Sequence, residues 1–400
     1  MYEVLDSWLP AWLAVVSQAL IAAVLLVGFI GGLALLLIWA ERKVSGRMQD
    51  RLGPTRVGPI GLLQSFADGI KLITKEDTTP AEADRFLFRF APYMAFCATF
   101  CAFIALPFAP AIVPCDVSIG VFFVMAVMAT EVFGVLLAGY SSGSKWSMFG
   151  GIREAAQVVS YEVPRSLCVI IPVAIAGTLS LTELAKQQSG YFWNWRLFHD
   201  PFTFLAFFVF FITATASCKR APFDLAEAES ELVAGFHTEY SGIRWSYFFM
   251  AEYGSMYVVS AVASLLYLGG WNPGLLPFDL VDWLGPWLGN FCHALILIGK
   301  SFSLIFVMMW MRWSLPRLRI DQVMTCCLKY FLPISCGLLL GTCLWILWIP
   351  NSFAEGIRII LASATFISLV VVAVLVSRPL PAEGMPGQLA GVWSGKSTLR

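Results

Sequence analysis

The sequence predicts an all-α, polytopic integral membrane bundle, and three observations carry that expectation. Hydrophobic residues make up 58% of the 400-residue chain and charged residues only 13%, about half the share found in soluble domains. The apolar residues gather into runs that reach the roughly 20 residues needed to cross a bilayer. Most charges fall between those runs, with lysine and arginine concentrated in alternate connections.

The elements follow in chain order. Ala11 to Ala40 carries no charge, a first span long enough to tilt or to extend past the hydrocarbon. It is too long for a signal peptide and lacks a basic leading region. Eight further spans are expected at 91–113, 117–140, 154–177, 202–218, 245–268, 290–311, 328–349 and 357–376. With the N-terminus outside, the segments 41–90, 141–153, 219–244, 312–327 with Lys329, and the tail from 377 face the cytoplasm. They hold 9, 2, 3, 4 and 3 of the 26 Lys and Arg, an asymmetry that sets the orientation. Between the first two spans, Leu63, Phe66, Ala67, Ile70 and Ile73 recur at helical spacing opposite Gln64, Asp68, Lys71 and Lys75. That pattern is an amphipathic helix for the inner interface. The chain therefore divides into a bundle, 1–376, with cytoplasmic loops at 41–90, 219–244 and 312–329, and a flexible cytoplasmic tail, 377–400, rich in proline and glycine.

Composition also excludes chemistries. Basic and acidic residues number 26 each and no domain-wide basic stripe appears, which gives no reason to expect nucleic-acid binding. The ten cysteines form no CxxC pair and no Cys/His grouping at metal spacing, and His199, His237 and His293 are scattered. The cysteines read as small apolar side chains. With no phosphate-cradling loop or HExxH, any redox cofactor belongs to another chain.

What remains is charge in unusual places. The stretch from Arg220 to Gly242 sets Asp224, Glu227, Glu229, Glu231 and Glu239 among Pro222, Phe223, Leu225, Leu232 and Phe236. This interleaving suits a folded, partly buried segment better than a solvated acidic loop. Carboxylates that share low dielectric and like charge have pKa values pushed upward and hold protons near neutral pH. Glu131, Glu162, Arg165, Glu252 and Lys300 lie inside apolar runs, where each costs roughly 2.5–3.5 kcal/mol. They face a protein interior or a wet path, as a charge route or as structural ion pairs. The basic residues after Ala40, read alone, suit an anionic lipid as well as a substrate.

The order of several motifs is more specific. Glu41, Arg42, Lys43, Gly46, Gln49, Arg51, Gly53, Pro54 and Arg56, continuing to Asp68, Lys71 and Lys75-Glu76-Asp77, open the series. The acidic stretch ending in Glu239-Tyr240-Ser241-Gly242, the groups Ser160-Tyr161-Glu162 and Glu252-Tyr253, Lys300, and Pro316 to Gln322 complete it. Together they resemble the H-subunit family of NADH:quinone oxidoreductase, respiratory complex I, from about 41 to 350. The resemblance implies a membrane subunit of a proton-translocating enzyme of an energy-transducing inner membrane. It implies a chain with no complete active site of its own, joined to peripheral quinone-site subunits and to other membrane-arm subunits. Quinone would be the substrate, with the iron–sulfur cluster, FMN and NADH held by partners.

By the same resemblance, Glu41, Arg42, Arg51, Arg56, Asp68 and Lys71 match the quinone access segment. Asp224, Glu227, Glu229, Glu231 and Glu239 match an acidic loop linking quinone chemistry to the proton path. Glu162, Glu252 and Lys300 match intramembrane positions of that path, and Arg317, Arg319 and Asp321 match the last cytoplasmic loop. The nearest alternatives are the homologous membrane protein of an energy-converting hydrogenase or of another quinone- or phenazine-linked dehydrogenase. A secondary transporter would want paired broken helices in two related halves, and none are seen. The sequence departs from the family pattern at Glu131, Glu154, Arg165, Ile320 and the ninth span. Glu131 and Glu162 are expected at similar depth, with Arg165 one turn beyond Glu162 on the same face, and Glu131 and Arg165 are expected to form a compensating pair.

Overall fold

The computed structural model describes residues 11–275 and 280–377. Among them the regular structure is helical: α1 (Ala11–Met48), α2 (Gln64–Thr74), α3 (Arg85–Ile104), α4 (Gly120–Ser141), α5 (Lys145–Ala176), α6 (Leu181–Lys186), α7 (Pro201–Ser217) and α8 (Glu229–Leu232). There follow α9 (Gly242–Tyr267), α10 (Leu280–Leu284), α11 (Pro286–Ser314), α12 (Ile320–Met324), a π-helical turn (Thr325–Phe331), α13 (Leu332–Trp348) and α14 (Asn351–Ser377).

Seven described helical stretches are long and apolar enough to cross a membrane: α1 from Ala19, α3, α4, α5, α9, α11 and the continuous rod Ile320–Trp348. The apolar helix α7 is shorter, at 17 residues. Where the ninth span is expected, α14 runs for 27 residues and packs on the connection before α7 through Phe366 and Ala362. Residues 378–400, expected as a tail, lie outside the described residues.

Local chemistry explains where the helices begin and end. Asp84 caps α3, accepting from the backbone N–H groups of Phe86 and Leu87 at 3.0 and 3.3 Å. The span expected to reach 113 stops at Ile104, since Pro107 and Pro110 follow and lack the N–H a helix needs. Two helices instead begin earlier than hydropathy suggests, α5 at Lys145 and the last rod at Ile320. In the added stretch of α5, Arg153 is paired with Glu231, so that charge did not halt the helix.

The bundle is inside-out relative to a soluble protein. Val24, Leu25 and Leu340 are 70%, 63% and 65% exposed, whereas Glu154 and Ser160 are fully buried. Large apolar side chains face outward and polar ones are enclosed, as lipid solvation requires. At the centre stands α9, buried at every residue from Ala251 to Tyr267 and packed by α1, α3, α7 and α11. A Cβ on Gly254 would lie 2.7 Å from the Thr99 methyl, so the small residue permits the close α3–α9 approach. The acidic stretch folds back on α5, with Gly235 at φ 56° and no room for a Cβ beside the Ala226 carbonyl.

Candidate functional site

A cavity of about 560 Å³ opens between α1, α2 and α9. Apolar residues such as Phe66, Ile70, Trp245 and Phe249 wall it, and Arg42, Asp68 and Lys71 bring the charge. Arg42 and Asp68 form an ion pair, and Gln64 steadies the carboxylate from one turn earlier at 3.2 Å. Of the six residues matched to quinone access, the structure brings these three together. Arg51 lines a separate cavity, and Arg56 lies exposed on the connection.

The sixth, Glu41, points the other way. One step along α1 from Arg42, it is 5% exposed and anchors a buried hub. Arg220 Nη1 donates to both Glu41 oxygens at 2.9 Å, the Tyr253 hydroxyl donates at 2.5 Å, and Arg312 adds a further ion pair. Arg220 also faces Glu252 at 2.7 Å and lies 4.5 Å from the Tyr253 ring centre. Burial opposes the Arg220 charge, but Glu252 and Glu41 outweigh it and hold its pKa well above the ordinary value.

Immediately before Arg220 comes Lys219, at φ 53° and 7% exposed, 3.0 Å from Glu131 and 3.9 Å from Glu154. Burial works against this ammonium too, and Glu131, with Glu154, more than restores its charge. Neither Glu154 oxygen has a hydrogen-bond partner among the described residues. Around the same small void of about 10 Å³ lie Tyr161, Glu162, Arg165 and Ser217. Three carboxylates there face two cations.

The expected pairing of Glu131 with Arg165 is corrected by this geometry. Arg165 bonds the Ser217 hydroxyl and lies 3.7 Å from Glu162, while Lys219 takes Glu131. The expected nearness in depth of Glu131 and Glu162 agrees with both lining one void; the missing element was a lysine delivered by the end of α7.

The acidic stretch is also differently arranged than like-charge crowding suggests, because three of its acids each meet a separate basic side chain. Asp224 meets Arg317 at 3.0 Å, Glu227 meets His237 at 2.9 Å, and Glu231 meets Arg153 at 2.5 Å. The expected upward shift holds for Asp224, whose carboxyl is pushed to about 6 by burial and then by Glu227. It fails for Glu227: burial raises it, but His237, Lys219 and Arg220 overcome that and leave it below the usual range. Glu239 is half-buried at the end of the stretch, and the Glu229 side chain lies outside the described residues.

Lys300 stands apart from all these carboxylates. Its ammonium donates to the carbonyls of Leu268, Gly270 and Asn272 at 2.6, 3.0 and 2.6 Å and lies 4.2 Å from the Trp195 ring centre. Arg319 and Asp321 begin α12, where the Arg319 N–H donates to Gln322 at 3.1 Å. Sequence reasoning left out Lys219, His237 and Arg153. Only the Lys219-Arg220 doublet at a span boundary offered a signal.

Lipid-facing helices around an ion-paired interior, with an apolar side cavity next to it, define a polytopic membrane protein that manages charge within the bilayer. Residues 20–343 match the family model described as NADH dehydrogenase. The chain is 43% identical over 343 residues to the NADH-quinone oxidoreductase H subunit of Chlorobaculum tepidum, covering 85% of this chain and 94% of that one. With the H subunit of Anaeromyxobacter dehalogenans it shares 42% identity over 347 residues, 84% of this chain and 82% of that one. With that of Chlorobium luteolum it shares 45% over 319 residues, 78% and 85% of the two. The chain belongs to the H-subunit family of NADH-quinone oxidoreductase.

Proposed function

We propose that this chain is the membrane subunit of a proton-translocating NADH-quinone oxidoreductase, complex I, that admits quinone through the α1–α2–α9 cavity and couples its reduction to proton movement. One observation carries the reading. Two pairs of sequence neighbours, Glu41-Arg42 and Lys219-Arg220, link the cavity to the intramembrane carboxylates. Arg42 with Asp68 lines the cavity, Glu41 holds Arg220 and through it Glu252, and Lys219 holds Glu131 beside Glu154.

Reduction of a quinone to a quinol takes up two electrons and two protons. The apolar walls suit a lipid-soluble substrate, and the Arg42–Asp68 pair supplies a polar contact for its headgroup. The electrons come from partner subunits that hold the iron–sulfur cluster, FMN and NADH. Charge arriving at the cavity alters the balance of the Glu41–Arg220–Glu252 hub, because one guanidinium serves two carboxylates. Protonation of either acid shifts Arg220 toward the other, and the Lys219 cluster, with more acids than cations, accepts the next displacement. Asp224, Glu227 and Glu231 of the acidic stretch, with their partners, complete the route. The same reading puts the chain in the inner membrane with its basic connections and tail inward and its N-terminus outward, against the peripheral quinone-site and membrane-arm subunits. The names of its relatives favour it over the hydrogenase, phenazine and transporter alternatives.

The test uses the assembled complex in liposomes. Asp68→Asn raises KM for quinone with a smaller change in kcat, while Glu252→Gln and Glu227→Gln lower coupled turnover in complexes that still assemble. Unchanged quinone kinetics in the first and unchanged proton translocation in the other two would overturn the proposal.

A further inference from the structure

About a quarter-turn around α1 from the quinone cavity, Trp39, Lys43 and Arg47 follow at four-residue spacing and so share one face of the helix. With Arg51, Leu52 and Ile60 they line a second cavity of about 450 Å³. No carboxylate lines it, and none of its three cations makes an ion pair among the described residues, whereas neighbouring Arg42 is matched by Asp68. The cavity is built rather than incidental. The Trp39 indole N–H donates to the Ile60 carbonyl at 3.3 Å, and the Arg51 N–H donates to the Gly46 carbonyl at 2.8 Å. A Cβ on Gly46 would come within 2.9 Å of the Arg51 carbonyl oxygen. Leu52 and Ile60 nonetheless stand 83% and 71% exposed beside the cations.

The same face continues away from the cavity through Leu36, Gly32, Gly28 and Leu25, all exposed and none charged. Nothing lies within 4 Å of the position a Cβ would take on Gly28 or Gly32, so the face forms a shallow track. From Trp39 to Leu25 it runs roughly 21 Å at 1.5 Å per residue, a length that suits an acyl chain. Trp39 lies where the apolar run ends, the depth at which tryptophan prefers the membrane interface.

We propose that this surface binds one phospholipid with an anionic headgroup. Lys43, Arg47 and Arg51 take the phosphate, Trp39 lies against the glycerol esters, and one acyl chain follows the track over Gly32 and Gly28. An acidic protein surface or a free phosphate would satisfy the cations but leave the track without a purpose. The track is what favours a lipid.

The experiment takes the complete complex, exchanged into detergent and titrated with phosphatidylglycerol or phosphatidylcholine, and counts bound lipids by native mass spectrometry. The unaltered complex retains one phosphatidylglycerol that phosphatidylcholine does not replace. Each cation near an anionic group contributes about a factor of five, so the double variant Lys43→Gln with Arg47→Gln weakens phosphatidylglycerol about 25-fold. The charge-keeping variant Lys43→Arg with Arg47→Lys retains it. Gly28→Leu with Gly32→Leu, which fills the track and leaves every cation in place, also loses the lipid. The proposal is overturned if the glutamine variant holds phosphatidylglycerol as tightly as the unaltered complex, or if the track variant does. Displacement of the lipid by inorganic phosphate, or release of a peripheral partner by the glutamine variant at an unchanged lipid count, would overturn it equally.

Discussion

Arg220 and Lys300 are both basic side chains set among helices, and they are held by different chemistry. Arg220 is held by the carboxylates of Glu41 and Glu252. Lys300 is held by three backbone carbonyls that end α9 and by the face of Trp195. A carboxylate can take a proton and release its partner, but a carbonyl cannot. The counter-groups of the first arrangement can therefore respond to protonation, and those of the second cannot. Burial of a charge in a membrane protein does not by itself mark a charge route. The chemistry of the counter-group decides.

The largest expected effect comes from Arg220→Gln. It leaves Glu41 and Glu252 enclosed without their common cation, and stripping one partner from a buried ion pair costs about 3–5 kcal/mol. Loss of the assembled complex on native gels is the expected result; a variant that assembles and turns over normally would break the comparison. Next is Lys219→Gln, which exposes Glu131 and Glu154 to each other. Adding Glu131→Gln removes the stranded carboxylate, so the double variant recovers coupled activity relative to Lys219→Gln alone, a non-additivity that a double-mutant cycle measures. Purely additive losses would show that the two do not act as a pair.

Lys300→Met sharpens the contrast from the other side. Three carbonyls lose their donor, at about 1–3 kcal/mol for a buried group left unsatisfied, so the thermal midpoint falls while protons translocated per electron stay constant. A changed stoichiometry would move Lys300 into the charge route. The smallest effect belongs to Asp224, whose carboxyl is raised to about 6. A raised acid favours the protonated form: its stabilising contribution is present below the ordinary carboxylate value and is lost as pH rises through about 6. Above that pH Asp224 is ionised and held by Arg317; below it the carboxyl is neutral and the ion pair is lost. Asp224→Asn should accordingly flatten the part of the turnover profile between about pH 5 and 7, and an unaltered profile would remove Asp224 from the titrating groups.

Much of this was legible in the sequence, for identifiable reasons. Long apolar runs announce membrane helices because no other use of so many uncharged residues is common, and α2 followed from its 3.6-residue pattern. The α1–α2–α9 cavity was half visible, since Arg42, Asp68 and Lys71 lie close along the chain and share neighbouring elements. Pairings across distant segments were not. Glu131 and Lys219 are 88 residues apart, and two acids competing for the same cation look alike in one dimension. Arg165 was the nearer candidate by depth, but the turn after α7 swings Lys219 inward through a positive φ that no composition signal records. Glu41 illustrates the same limit. Adjacent to Arg42 in sequence, it turns about 100° away around the helix and joins the hub rather than the cavity.

The brevity of α7 reaches further than its own packing. Seventeen residues rise only about 26 Å, a few ångströms less than the hydrocarbon thickness of roughly 30 Å. One end of that helix must fall short of the headgroups or draw the bilayer in toward it. Lys219 and Arg220 follow directly on its last turn and are buried at once among the neighbouring helices, so the short helix delivers the doublet into the bundle, where its carboxylate partners become necessary.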